Sequence, residues 1–182
     1  MPNVLPSRLQ RAMPMNERMF NADQEDDIRE SSSRLIRQAA VETAVLRLAE
    51  EGDVDALRPH AEADGVNLEP SDNDRPTTWW VVDDPFGMGI IAICGMMPVE
   101  NNGQRIRGSW VAPQWRGRGL WWTMVQHRLQ IARDRGATWA ETYAVYPGPL
   151  LRNGWEVAST KHRHGAVHIR TIIAGRPEEA RG

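Results

Sequence analysis

The chain has 182 residues, a formal net charge of −2 and a single cysteine, Cys94. Its length suits one domain, with about 70% of the unfolded surface buried. The charge excludes a general attraction to nucleic acid or membrane, and one thiol excludes an intramolecular disulfide.

The longest apolar run, around Gly87–Val99, is broken by glycine and falls well short of the ~20 residues a membrane span needs. The N-terminus lacks a basic-then-apolar leader pattern, so a soluble, cytoplasmic protein is expected. Residues 1–40 read as an N-terminal arm. Its first part carries three prolines and four methionines with few aromatics, which suits a loosely structured segment. From Asp26 onward, Ile28, Leu35, Ile36 and Ala39 recur at roughly helical spacing, predicting a short amphipathic helix. That helix either caps the domain or serves self- or partner association.

Residues 41–176 carry the predicted domain, and 177–182 form a polar tail. Thr43–Ala49 either continues the helix or forms a strand; periodicity does not decide. Gly52 marks a turn, Asp53 a helix cap, and Val54, Leu57 and Ala61 an apolar face. Pro70–Pro76 is a polar loop. Thr77–Asp84 is β-rich, Asp84–Gly87 (DPFG) turns, and Gly89–Val99 is a second strand, whose run makes Cys94 a core thiol. Glu100–Gly103 (ENNG) predicts a tight hairpin, because Asn-Gly tolerates positive φ, and Gln104–Val111 returns as a third strand. Leu120–Arg135 places Trp121, Met124, Val125, Leu129 and Ala132 at helix spacing, with Gly136 as C-cap. Ala137–Val145 is a strand, Tyr146–Gly154 a tight connection with at most a short helix, and Trp155–Thr160 with Ala166–Gly175 a closing hairpin. The predicted class is α/β (α+β) with a mixed sheet.

Between the third strand and the long helix stands Trp110–Trp122, WVAPQWRGRGLWW. A glycine-bearing turn from a strand into a helix exposes backbone N–H groups at the positive end of the helix dipole. It is a ready anion site. Gly117 and Gly119 allow close backbone approach, and Arg116 and Arg118 add charge for phosphate. The alternative is an ordinary turn with solubilising arginines. The dinucleotide fingerprint fails, since Trp122 stands where its third glycine belongs, and no Gly-Lys-Ser/Thr follows for a P-loop.

VAPQWRGRGL resembles the acetyl-CoA-binding signature of the GNAT N-acetyltransferase superfamily: Val, any residue, Pro, two residues, then Arg-Gly-x-Gly. TAVLRLAEEGDVDAL is similar to the family's first strand and helix, and RNGWEV to its late Gly-Phe segment, so the resemblance runs from about Thr43 to Ala174. It implies a mixed, mostly antiparallel central sheet flanked by helices and an N-acyltransferase that uses acetyl-CoA or another acyl-CoA. The backbone at Val111 would pair with the pantetheine arm where two strands splay apart. The N–H groups of Arg116, Gly117, Arg118, Gly119, Leu120 and Trp121 would hold the pyrophosphate. Trp121 replaces the family's usual Gly or Ala.

Transfer of an acyl group to an amine needs a base for the amine proton and an acid for the leaving thiolate. The family's usual acid, a Tyr four residues before the late glycine, is here Leu150. Tyr146 at the strand exit is the substitute, with Tyr143 the other phenol; the plain alternative for either is a packed ring. The strand Gln104–Val111 contains no carboxylate, so Glu141 is the nearest candidate base, sharing strand parity with Trp139 and Tyr143; its alternative is a salt-bridged glutamate.

His162, His164 and His168 lie in a basic hairpin. Without a carboxylate or Cys beside them they are not read as a metal site, and no metal is expected. By the resemblance this hairpin borders the acceptor site, which admits an acidic or nucleic-acid acceptor, although net charge gives the latter no support. Trp79, Trp80, Trp110 and Trp139 read as core, and Trp115 and Trp122 as rings covering or underlying the turn. Two other readings stay open: a catalytically weak or inactive binding or assembly module, and a nucleic-acid base-modifying relative. The acceptor amine is not identified.

Overall fold

The computed structural model describes residues 15–69, 75–163 and 165–173. The chain divides into two compact units, residues 1–39 and 40–182. In the first lies most of α1 (Met15–Glu42), 28 residues long. It begins at Met15, not near Asp26 as the apolar spacing predicts. The reason is local: after Pro14 the stretch MNERMFNADQE holds no glycine or proline, and its residues are mostly good helix formers. Leu35 and Ile36 stay exposed.

The second unit is built on a seven-stranded sheet: β1 (Leu46–Leu48), β2 (Thr78–Asp83), β3 (Ile90–Val99), β4 (Gly103–Val111), β5 (Trp139–Ala144), β6 (Glu156–Arg163) and β7 (Ala166–Ile172), in the order β1-β2-β3-β4-β5-β7-β6. Thr43–Ala49 thus yields a strand rather than more helix. α2 (Asp53–Ala63) and α3 (Leu120–Asp134) flank the sheet, and α4 (Gly148–Leu151) is one turn. All pairings are antiparallel except β4 with β5. The hairpin between β3 and β4 closes through Asn101 and Asn102, both at positive φ, as the ENNG segment predicts. Gly52, not Asp53, occupies the N-cap of α2. The Asp53 carboxylate instead ties the backbone N–H of Glu50 (2.8 Å) to Arg47 (2.7 Å).

One continuous core joins Val81, Ile93, Met96, Leu120, Met124 and Ile169. α3 packs on β3 and β4, and α2 on β3. The apolar stripe of α3 also includes Arg128, which is 0% exposed. Its guanidinium donates to the carbonyls of Met124 (3.0 Å), Gly95 (3.2 Å) and Arg107 (3.3 Å), and its second Nη has no partner among the described residues. Burial lowers its pKa and raises that of Cys94, each partly offset by the other.

Candidate functional site

Two irregularities in β4 open a cleft. Against β3, Ile93 pairs with Trp110 but Gly95 with Arg107, so β4 holds an extra residue. Gly108 takes the positive φ of +54° at this bulge, a conformation available to glycine at little steric cost. Against β5, pairing stops after Gly103↔Trp139, Gln104↔Ala140 and Arg105↔Glu141. Beyond Arg105 the two strands separate, although β4 runs on to Val111 and β5 to Ala144.

At the wide end of the cleft stands the Arg-Gly-Arg-Gly turn. Gly117 and Gly119 adopt φ of +74° and +88°, and a Cβ at either would meet nothing within 4 Å. These glycines therefore answer to backbone conformation and leave their outer face open. Gly119 is the N-cap of α3, and no side chain caps it. Among the described residues, the N–H groups of Gly117, Arg118, Gly119, Leu120, Trp121 and Trp122 have no backbone or side-chain acceptor; the helical ladder starts with Thr123 donating to Gly119 at 3.0 Å. A run of unpaired donors at a helix N-terminus is an anion cradle.

The N–H of Arg116 already bonds the Pro113 carbonyl (3.3 Å), so the unpartnered run begins one residue later than the sequence suggests and extends to Trp122. The two arginine side chains also turn inward. Arg116 donates Nε to the Val111 carbonyl (2.9 Å) and a terminal nitrogen to Asp64 (2.5 Å). Arg118 donates to the carbonyls of Gln114 (2.7 Å) and Arg116 (3.1 Å). Both brace the turn that presents the amides. Leu120 points into the core, leaving only its N–H to the cradle, and Trp115 is buried beneath the turn, stacked on Phe86. Trp121 lines a cavity of about 340 Å³ together with Ser109, Trp110, Val111, Gly117 and Gly119.

Asp64, the C-cap of α2, also faces this cavity. Its carboxylate accepts from Trp110 Nε1 (2.7 Å) and from Arg116. Those two donors hold its pKa below the ordinary value, Trp110 contributing most. A depressed carboxyl contributes stability above its unfolded pKa of about 3.9 and loses it as pH falls through the folded value. Melting temperature should therefore be level above about pH 5 and fall below pH 4, with a shallower fall in Asp64→Asn; an unchanged acid limb in that variant would remove Asp64 from the account.

The candidate catalytic residues occupy different surroundings. Tyr146 is 85% exposed, beyond the end of β5, whereas Leu150, in the place of the family's tyrosine, is 2% exposed and belongs to the core. Glu141 is buried. One of its oxygens accepts from Arg105 Nε (2.7 Å), with a second contact from the same guanidinium, and the other contacts His168 Nε2 at 2.8 Å. His168 stacks on Tyr143, ring centroids 4.8 Å apart. By strand alternation these groups face away from α3, since Ile106 and Met96 point to the core and Arg105 alternates with them. On the same face Arg170 lies over the Trp139 ring at 4.1 Å, beside a second concavity of about 500 Å³ lined by Arg75, Arg105, Trp139, Glu141 and Arg170.

His164 and the side chain of His162 lie outside the described residues, as do residues 177–182. Trp80 and Trp110 are core, whereas Trp79 and Trp139 are partly exposed. No helix among the described residues is long and apolar enough to cross a membrane. Sequence reasoning passed over Arg128 and Asp64. For Arg128 a signal existed, because it falls within the apolar stripe of α3.

The model of the acetyltransferase (GNAT) family matches residues 43–145. No curated protein matches the chain in sequence. Among solved structures, Rv2747 from Mycobacterium tuberculosis, in complex with CoA, aligns with a TM-score of 0.60 at 15% identity over 71% of this chain and 99% of its own. The GNAT family N-acetyltransferase YhbS from Escherichia coli, also with CoA, gives 0.53 at 16% identity over 72% and 82%. The N-acetylglutamate synthase from Neisseria gonorrhoeae gives 0.58 at 15% identity over 72% of this chain; the match spans 35% of the synthase.

Proposed function

The chain belongs to the acetyltransferase (GNAT) family, whose members use acetyl-CoA or another acyl-CoA, and we propose that it is an N-acyltransferase acting on a primary amine. The observation that carries this reading is the run of unpartnered amides from Gly117 to Trp122 beside open space at both glycines. That arrangement fits a diphosphate without rearrangement. Each charge-assisted bond contributes roughly 1.5–3 kcal/mol. When bound, the acyl-CoA supplies an activated acyl group as its thioester. The chain's part is to hold the diphosphate at Gly117–Trp122, to lay the pantetheine arm along the free edge of β4 near Ser109 and Val111, and to manage two protons.

Arg116 already takes one lone pair of the Val111 carbonyl, which leaves the second lone pair for the pantetheine. Tyr146 is proposed to protonate the departing thiolate. Tyr146→Phe should lower kcat more than about ten-fold with the CoA Kd unchanged, a loss within the range of general acid catalysis. Full activity would remove Tyr146 from that role. A cytoplasmic location accords with an acyl-CoA substrate.

The direct test is incubation with acetyl-CoA. At 100 times Kd a ligand stabilises by about 2.7 kcal/mol, so the melting temperature should rise by roughly 5–10 °C. Slow thiol release should accompany the shift. The second reading, a binding module without turnover, draws on Leu150 filling the core where the family keeps its tyrosine. It predicts the thermal shift without thiol release.

A further inference from the structure

Resting on the acyltransferase reading, we infer that His168 is the base that accepts the amine proton, and that Glu141 is its positioning residue. An ionised carboxylate only accepts hydrogen bonds. Glu141 is buried and accepts a hydrogen bond from Arg105 through one oxygen. Its other oxygen, 2.8 Å from His168 Nε2, therefore places the imidazole proton on Nε2. In the neutral ring the lone pair then lies on Nδ1. The partner of one ring nitrogen fixes the chemistry of the other.

The same contacts argue against Glu141 as the base itself, because both oxygens are engaged. His168 keeps more access than Glu141, with side-chain exposures of 15% and 5%.

Register places the ring against Glu141 and Tyr143, across β5 from the cleft. Glu141 is the last β5 residue paired with β4, and Tyr143, two residues on, is the register partner of His168. At that level β4 presents Arg107 and the bulge at Gly108, where the narrow end of the cleft lies. An acyl group carried down the cleft from the cradle ends there, and β7 runs about one strand spacing, roughly 5 Å, from β5. Tyr143 holds the ring plane by stacking, and the Arg105 guanidinium covers Tyr143 at 5.5 Å. Among the described residues of these strands, the charged groups on this face are Arg105 and Arg107 from β4, Glu141 from β5, Arg170 from β7 and its register partner Glu156 from β6.

In the step, the amine nitrogen bonds to the thioester carbonyl carbon and the carbon–sulfur bond breaks. The electron pair leaves on sulfur. The proton lost by nitrogen passes to Nδ1 of His168, and the thiolate takes a proton from Tyr146 or from solvent.

The test uses the full chain with acetyl-CoA and ethylamine as a surrogate acceptor, read as thiol release above a protein-free control. His168→Ala should lose at least about 100-fold in rate, keep its CoA Kd within two-fold, and recover part of the rate on addition of imidazole. His168→Gln, closer in size, should lose the rate equally with the melting temperature preserved. In ¹⁵N-histidine-labelled protein, long-range ¹H–¹⁵N spectra should show His168 as the Nε2–H tautomer, with that preference weakened in Glu141→Gln. Wild-type rates in both variants, lost rate that imidazole does not return, or an Nδ1–H tautomer would each overturn the assignment. A wild-type protein that binds no CoA would overturn the acyltransferase reading itself, an outcome that the His168 variants do not produce.

Discussion

Gly119→Asp should abolish CoA binding while leaving the fold intact. A Cβ at this position meets open space, so no clash is introduced. The φ of +88° is strained for most side chains, but Asp and Asn visit the left-handed region more readily than other residues. Asp at the N-cap of α3 also suits the helix dipole. What changes is the cradle, where a carboxylate now confronts the diphosphate. Loss of two charge-assisted bonds, roughly 3–6 kcal/mol together, corresponds to about a hundred- to ten-thousand-fold in Kd. Gly119→Asn, equal in size and uncharged, should lose far less. Calorimetric titration of both variants with CoA separates charge from shape. Equal affinities for the Asp variant and the wild type would mean that the diphosphate binds elsewhere.

Arg128 carries the largest expected effect on stability. Its guanidinium links the carbonyls of Gly95 on β3 and Arg107 on β4, next to the bulge that shapes the cleft. Among the described residues no carboxylate pairs with it, so neutral carbonyls alone offset the burial of its charge. Arg128→Ala leaves those carbonyls unpaired and a cavity behind them, which together cost about 3–5 kcal/mol. The melting temperature should fall by roughly 6–20 °C. Arg128→Met, which restores volume and removes the buried charge, should fall by less. A loss under 2 °C in Arg128→Ala would show that the bulge holds without the clamp.

Much of the fold was legible because its signals are local. Asn101 and Asn102 close the β3–β4 hairpin, Gly136 ends α3 at a positive φ of +75°, and the strand and helix order from β2 to β7 follows from apolar runs, turn signals and helical spacing, whereas periodicity left β1 open. The Arg-Gly-Arg-Gly turn was equally readable, since its donors are backbone groups whose exposure follows from a strand feeding a helix. The side chains were not. Arg116 and Arg118 look like free charges in sequence, yet Arg116 reaches the Val111 carbonyl and the Asp64 carboxylate, and Arg118 the carbonyls of Gln114 and Arg116.

Glu141 was identifiable as a carboxylate on the strand after the long helix. Its partners, Arg105 and His168, come from strands that become adjacent only through the parallel β4–β5 step and the β5–β7 pairing. His168 reads in sequence as one member of a basic hairpin tip; register alone brings it to Glu141 and Tyr143. Arg128 escaped because an apolar stripe is counted by residue type, and a guanidinium satisfied by carbonyls breaks the count without breaking the helix.

The central claim is that the amides from Gly117 to Trp122 receive the diphosphate of CoA. Titrating ¹⁵N-labelled protein with CoA and following the backbone amide resonances tests it most directly. The account predicts saturable shifts that are largest at Gly117, Arg118, Gly119, Leu120, Trp121 and Trp122, with smaller ones along β4 at Ser109 and Val111. Saturable binding that leaves those six resonances in place, or their silence at millimolar CoA, would contradict it.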